Sequence, residues 1–460
     1  MPGAKAHLLP ILALLLAGCA SGPRDAVPES TPVRSLQEGS SALLLRGAAV
    51  MTAAGPTLPV ADVLVRDGEI AAVGRALETP PGSRVIELHG RWITPGLIDP
   101  HSHLGVYPLP NVRAHADANE TSGPFHPEVR VEEGLWPQDP AIRRAVAGGV
   151  TTIHVLPGSA NLVGGEGLTL RLRPARSARE MRFEGAPRTM KMACGENPKR
   201  VYGRKRKAPV TRMAEVALLR QRLEEARAYR AQRGKAQAES EAKPETKAKD
   251  FGKEALVGVL AGEILVQNHC YRADEMLVWL DLFNEFEIQP RAFHHATEAY
   301  KIADRLREAG VGAVVWSDWW GGGAGTSKME MLDMVGANAA LLDVAGVTVA
   351  LHSDSPTDIQ RLNQEAAKAL AAGLRVGLAV DRDRAIRWVT ANAAWVLGIE
   401  DRVGTIEPGK MADLVVWSGD PLSVFSKAEK VFIEGELVYD RANPELYPIS
   451  DFELGLGVQP

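Results

Sequence analysis

Thr94-Pro95-Gly96-Leu97-Ile98-Asp99-Pro100-His101-Ser102-His103 reads as an apolar strand that enters through Pro-Gly and ends in two histidines one residue apart. Side chains two apart on a strand point to the same side, so His101 and His103 can face one metal ion. Taken alone, the pair is equally compatible with two satisfied polar residues on a strand. The downstream sequence shifts that balance.

Beyond this stretch, apolar strand-like runs alternate with helix-length amphipathic segments, the pattern of repeated βα units around a parallel sheet. Three runs end in a candidate ligand: 263–267 leads into His269, 287–293 into His294-His295, and 347–351 into His352-Ser353-Asp354. A further strand, 311–316, ends without one. At roughly 30 residues per unit, His269, His295 and Asp354 fall on strands five, six and eight of an eight-fold barrel. Working backward, 149–155 reads as strand two, 168–173 as strand three and 189–193 as strand four. Active sites of such barrels lie at the C-terminal strand ends, so these residues converge on one mouth.

The constellation resembles the amidohydrolase superfamily, and within it the imidazolonepropionase-like and prolidase-like branch. The resemblance covers most of the chain and includes Asn392-Ala393-Ala394-Trp395-Val396-Leu397-Gly398 and Gly404-Thr405-Ile406-Glu407-Pro408-Gly409-Lys410-Met411-Ala412-Asp413-Leu414-Val415-Val416. It implies a (β/α)8 TIM barrel over 95–402 and one or two divalent metals held by His101, His103, His269, His295 and Asp354. Binuclear members bridge their metals with a carboxylated lysine on strand four, and Lys191-Met192-Ala193-Cys194-Gly195 resembles that strand. A lysine in a barrel mouth is costly to desolvate unless it has such a use. Were Lys191 to face outward, the site would be mononuclear, with Glu196 nearby. Zinc is the default metal for imidazole-rich sites.

Short strands before the barrel (43–51, 62–73, 85–88) and after it (413–417, 430–438) are too few at either end for a stable sheet. They imply a small composite β-sandwich built from 42–94 and 403–455. At 460 residues, 45% hydrophobic and a net charge of -4, the chain has the composition of a large globular enzyme, and its charge points to no nucleic-acid partner.

Lys5, the apolar run 8–16 and Leu16-Ala17-Gly18-Cys19 resemble a bacterial lipoprotein signal. Residues 1–19 would then direct export to the cell envelope, Cys19 would carry a lipid anchor into a membrane, and 20–41 would form a tether. An ordinary secretory signal with an incidental cysteine is the alternative. Cys194 and Cys270, after strands four and five, read as free thiols at the barrel mouth.

Three segments read as peripheral. The charged stretch 220–253 reads as an exposed helix fraying into a loop inserted in the barrel. The basic run 199–207 reads as a solvated loop or a contact for an anionic substrate or lipid head groups. Gly321-Gly322-Gly323-Ala324-Gly325-Thr326-Ser327-Lys328 lacks the order of a phosphate loop and reads as a mobile active-site loop.

A metal held by imidazoles and carboxylate lowers the pKa of a bound water to around 7. Asp354, facing the metal, would accept the water's proton and pass it to the leaving nitrogen as general base and acid. His352, two residues earlier on the same face, either lines the pocket or packs beneath it. Deaminases of the superfamily carry a glutamate three residues after the strand-five histidine. Here that residue is Arg272, while Glu298 follows His295 at the start of a helix. The reading therefore favours hydrolysis of a C-N amide bond in a cyclic amide, small peptide or acylated amino acid over deamination. A non-catalytic ligand-binding lipoprotein on the same fold is the contrasting reading, disfavoured because these polar residues are jointly costly to bury without a metal.

Overall fold

The computed structural model describes residues 42–239, 248–318 and 329–446, with the backbone alone at 234–239 and 444. The first strands are β1 (Ala42–Val50), β2 (Leu58–Arg66), β3 (Glu69–Gly74), β4 (Arg84–Glu87) and β5 (Trp92–Pro95). The barrel strands are β6 (Leu97–Ser102), β7 (Val150–Val155), β8 (Val163–Arg171), β9 (Arg188–Ala193), β10 (Ile264–Cys270), β11 (Pro290–His295), β12 (Gly312–Val315) and β13 (Val349–Leu351). The chain returns through β14 (Leu414–Trp417), β15 (Ala428–Ile433) and β16 (Glu436–Asp440).

Two sheets result, one from both chain ends in the order β16-β15-β14-β5-β1-β2-β3 with β4 on β1, and one running from β6 to β13 in sequence order. The α/β architecture is a nearly closed eight-stranded barrel beside a separate sheet. Strand β14 joins their cores by simple alternation. Leu414 and Val416 pack with Leu45, Val63 and Phe432 inside the two-ended sheet, while Val415 and Trp417 pack into the barrel's apolar core.

Two turns divide what the sequence alone reads as single strands over 62–73 and 430–438. Asp67-Gly68 and Glu434-Gly435 hold positive φ at both positions (51° and 82°, 52° and 75°), the geometry of a tight hairpin turn.

The third barrel strand, β8, runs antiparallel to both neighbours, while the other adjacent pairs are parallel. The connection 156–162 is shorter than the dozen or so residues a parallel crossover takes, so the strand must fold straight back. It also begins earlier than the apolar pattern indicates, because Gly164, Gly165 and Gly167 hide its alternation. At Gly165 an added Cβ would lie 2.5 Å from Val129 Cγ2, so no side chain fits.

Between β13 and β6 the buried carboxylate of Asp99 accepts from Ser353 Oγ and from the His101 and Ser353 amides, and Asp354 N donates to His101 O at 3.3 Å. These contacts bring the two ligand-bearing strand ends together.

Two peripheral expectations change. The helix Arg212–Glu239 buries Leu219, Leu223 and Ala226, spaced four and three apart, so its first turns are barrel wall rather than an exposed insertion. Cys194 and Cys270 are disulfide-bonded, with Cα atoms 5.3 Å apart, and are not free thiols. The preceding residues, Ala193 and His269, are register partners of β9 and β10, which makes the cysteines the next cross-strand neighbours. The glycine-rich segment 321–328 and the signal and tether, 1–41, lie outside the described residues. Among those residues no helix is long and apolar enough to cross a membrane.

Candidate active site

The C-terminal strand ends of the barrel gather the histidines. From β6, His101 is fully buried and His103 partly open; from β9, Lys191 is fully buried and its Nζ lies 3.3 Å from His101 Nε2. After β13, Asp354 places Oδ1 3.2 Å from His103 Nε2 and 3.8 Å from His101 Nε2. His295, ending β11, sets its ring centroid 4.7 Å from that of His101 in a tilted contact and edge-on 4.5 Å from His269 and 4.9 Å from His352.

Strict strand alternation would send only one of His294 and His295 inward. His295 (φ 67°), Ala296 (φ 38°) and Asp354 (φ 49°) instead adopt left-handed backbone conformations, so β11 turns as it ends and both histidines reach His101. Strained backbone at non-glycine positions concentrates where function over-determines geometry.

Ligand-capable atoms of His101, His103 and Asp354 lie within 4.8 Å of one another, as do those of His101, His295 and His352. His269 stands at the edge of this cluster, with Nδ1 2.9 Å from Ser159 Oγ and Nε2 3.3 Å from Asn197 Nδ2. His352, left open by the sequence, belongs to the cluster: it is buried and stacks 5.1 Å from His101. Trp316, at the end of the strand without a ligand, lays its indole on His295 at 4.3 Å. Its apolar character gave no signal of that role.

The donor set fits a divalent cation on two counts. His295 Nδ1 and both ring nitrogens of His352 are buried without a hydrogen-bond partner, and each such atom costs about 1–3 kcal/mol if left empty. His103 Nδ1 lies 2.7 Å from the Leu156 carbonyl and so carries a proton, and its Nε2 faces Asp354 Oδ1 at 3.2 Å. That edge is closed either by a second proton on the His103 ring or by a metal ion in its place.

Burial sets the charge states. It holds His101 and His295 well below the ordinary histidine range, with Lys191 and neighbouring imidazoles adding to the effect, and takes His352 down to about 3. Burial also lowers Lys191 to about 7, so a neutral amine is accessible near physiological pH. Asp354 is pushed up by burial, but the His103 hydrogen bond and charge outweigh it and hold the carboxyl below its usual range.

Above the cluster opens a cavity of about 320 Å³, lined among others by His103, Tyr107, Asn119, Ser159, Asn197 and Tyr271. That is the small end of ligand-pocket sizes, about 300–1,000 Å³. Arg272 and Glu298 do not face it. Arg272 pairs with Asp274, and Glu298 accepts from the Ala273 amide and pairs with Lys301. The basic run 199–207 begins in the helix Glu196–Arg204, which it anchors through buried Tyr202, whose hydroxyl reaches Asn161 Oδ1 at 2.6 Å.

Residues 292–439 match a family model described as the amidohydrolase family. The chain is 36% identical over 406 residues to amidohydrolase tasK of Hapsidospora irregularis, across 82% of this chain and 40% of that protein's length. It is 25% identical over 414 residues to the imidazolonepropionase of Mesorhizobium japonicum, across 77% of this chain and 85% of that one. Among solved structures, an amidohydrolase from Thermotoga maritima MSB8 superposes with a TM-score of 0.79 at 35% identity, over 87% of this chain and 100% of that chain.

Proposed function

Because the chain belongs to the amidohydrolase family, we propose that it is a metal-dependent hydrolase that cleaves a C-N amide bond of a small molecule with Asp354 as general base and acid. The observation that carries the reading is the set of buried, unpartnered imidazole nitrogens of His295 and His352 beside the His103–Asp354 pair.

A divalent cation, zinc by the donor chemistry, held among His101, His103, His295, His352 and Asp354, with His269 at the edge of the set, would supply Lewis acidity to a water and to the scissile carbonyl. The residues supply the rest. Asp354 stays ionised, takes the water's proton at Oδ1 and delivers it to the leaving nitrogen. Lys191, as a neutral amine, can add carbon dioxide with loss of a proton to form a carboxylate, the bridge a second metal would need. The tryptophan and tyrosine rings of Trp316 and Tyr271 restrict the water that reaches the cluster.

The small cavity supports a substrate on the scale of a cyclic amide, a dipeptide or an acylated amino acid, and the engagement of Glu298 elsewhere argues against deamination. The sequence of residues 1–41 supports an exported lipoprotein, tethered through Cys19 to a membrane of the cell envelope.

Metal analysis of the protein purified in bicarbonate, followed by hydrolysis assays on panels of dipeptides, N-acyl amino acids and cyclic amides, tests this reading. Turnover that disappears with chelator and returns with zinc supports it. Zinc-loaded protein that hydrolyses none of the panel, or turnover indifferent to chelator, overturns it.

A further inference from the structure

Behind the site, four groups lie in hydrogen-bond sequence. Gln267 Nε2 donates to the Val396 carbonyl at 2.9 Å, Gln267 Oε1 lies 2.6 Å from His294 Nε2, and His294 Nδ1 lies 2.9 Å from His101 Nδ1. All three side chains are fully buried. Val396 sits in the last turn of the helix Ala391–Leu397, where carbonyls have no intrahelical partner and take side-chain donors instead.

The order of donors follows from the fixed end. A carbonyl can only accept, so the Gln267 amide must present NH2 to Val396, and turning it over would set two oxygens against each other. Its Oε1 therefore faces His294 and requires a proton on His294 Nε2. Neither partner of His294 is a carboxylate, so an imidazolium there would be a buried charge without a counter-ion, and the ring is neutral with a lone pair on Nδ1. The short contact between the two Nδ1 atoms then needs its single proton from His101. That leaves His101 Nε2 unprotonated, at the ring edge that faces Lys191 Nζ and Asp354 Oδ1.

From this geometry we infer that Gln267 and His294 are positioning residues that lock His101 in its Nδ1-H tautomer and so present the Nε2 lone pair to the metal, with the helix-end carbonyl of Val396 as the anchor. The inference rests on the proposed metal-dependent function. It also accounts for His294 and Gln267, polar residues in a barrel interior that touch neither the cavity nor its solvent.

Zinc affinity, measured on apo-protein by competition with a chromophoric chelator, is the first test. Gln267→Leu removes the acceptor for His294 and is expected to weaken zinc binding by about 10- to 100-fold. Gln267→Glu, which as a buried neutral acid both accepts from His294 and donates to Val396, is expected to restore affinity to within about three-fold of wild type. A Leu variant that binds zinc like wild type, or a Glu variant as weak as the Leu variant, overturns the inference.

The second test needs no substitution. Ring 15N signals of the metal-free wild-type protein should show His101 as the Nδ1-H form and His294 as the Nε2-H form, and the opposite tautomers overturn the inference. A wild-type protein that takes up no zinc overturns the functional reading itself, whereas zinc uptake with the wrong tautomers overturns only the role of Gln267 and His294.

Discussion

At the barrel mouth, His295 and His352 are buried with ring nitrogens that meet no partner, and His103 Nε2 faces Asp354 Oδ1 at 3.2 Å. Next to the C-terminal ends of β9 and β10 a second buried polar cluster is organised differently. There Arg212 pairs with Glu275 and Glu330, Glu330 accepts from the Glu196 amide at 3.0 Å, Glu215 accepts from the Gly195 amide at 2.9 Å, and the Cys194–Cys270 bond lies beside Glu275. Both clusters take polar groups out of water, at similar cost per group. The second is knitted by ion pairs and backbone amides, with Glu215 Oε1 alone of these carboxylate oxygens buried without a partner, and it holds strand ends in place. The first leaves three imidazole nitrogens of two adjacent rings unpartnered around one point, which suits a site shaped around something that is not protein.

The largest effect should come from the open cluster. Asp354→Asn keeps a carbonyl oxygen near His103 but cannot accept a proton, so zinc content is expected to hold while kcat falls by about 10²- to 10⁴-fold. A variant that turns over like wild type would place the proton transfer elsewhere and erase the contrast. The closed cluster should respond in stability instead. Replacing Cys194 and Cys270 together by alanine reopens a loop of sequence separation 76, and the expected loss is about 3 kcal/mol in urea unfolding. Arg212→Met leaves Glu275 and Glu330 buried without their cation. Because Arg212 is itself 36% exposed, the expected cost is nearer about 2 kcal/mol than the full buried-pair figure, with zinc content unchanged.

The smallest effect is a pH dependence. Burial raises the Glu215 carboxyl to about 7, so the folded state holds this proton more tightly than the unfolded chain. Its contribution to stability is complete below the unfolded value and is lost as pH rises through about 7. Wild type should therefore lose on the order of 2 kcal/mol between about pH 5 and about pH 8 from this group, and Glu215→Gln should flatten that slope in unfolding experiments. An unchanged slope would mean that Glu215 is not neutral in the folded protein.

The barrel was legible because apolar strand-like runs alternate with helix-length amphipathic segments, and four of those runs lead into histidine or aspartate, which places their ends at one mouth. The sheet from both ends was legible from its apolar runs but not from its turns, since Asp67-Gly68 and Glu434-Gly435 sit inside uninterrupted apolar patterns. The reversal of β8 was hidden, because the strand was read from 168 and the glycines at 164, 165 and 167 mask its start at Val163, which is what makes the connection 156–162 too short for a parallel crossover. The cysteine pairing needed the register of β9 against β10, a tertiary fact. His101, His103, Lys191, His295 and Asp354 lie together in the structure, Lys191 facing inward where the sequence left both directions open, while His269 stands at the edge and His352 joins them. His294 could not be resolved, because only the left-handed backbone at His295 lets two consecutive side chains share one interior.

Strand β14 has a consequence for how the molecule is made. Trp417 Nε1 donates to Thr94 Oγ1 across 323 residues of sequence, and alternate residues of the strand belong to the two cores. On a ribosome, β1 to β5 emerge first and wait with an unpaired edge at β5 until almost the whole chain has followed. The two-ended sheet is thus completed last, and β14 works as a closing latch that supplies side chains to both cores. Removing the chain beyond Asp413 would withdraw side chains from the barrel's core as well as a strand from the sheet.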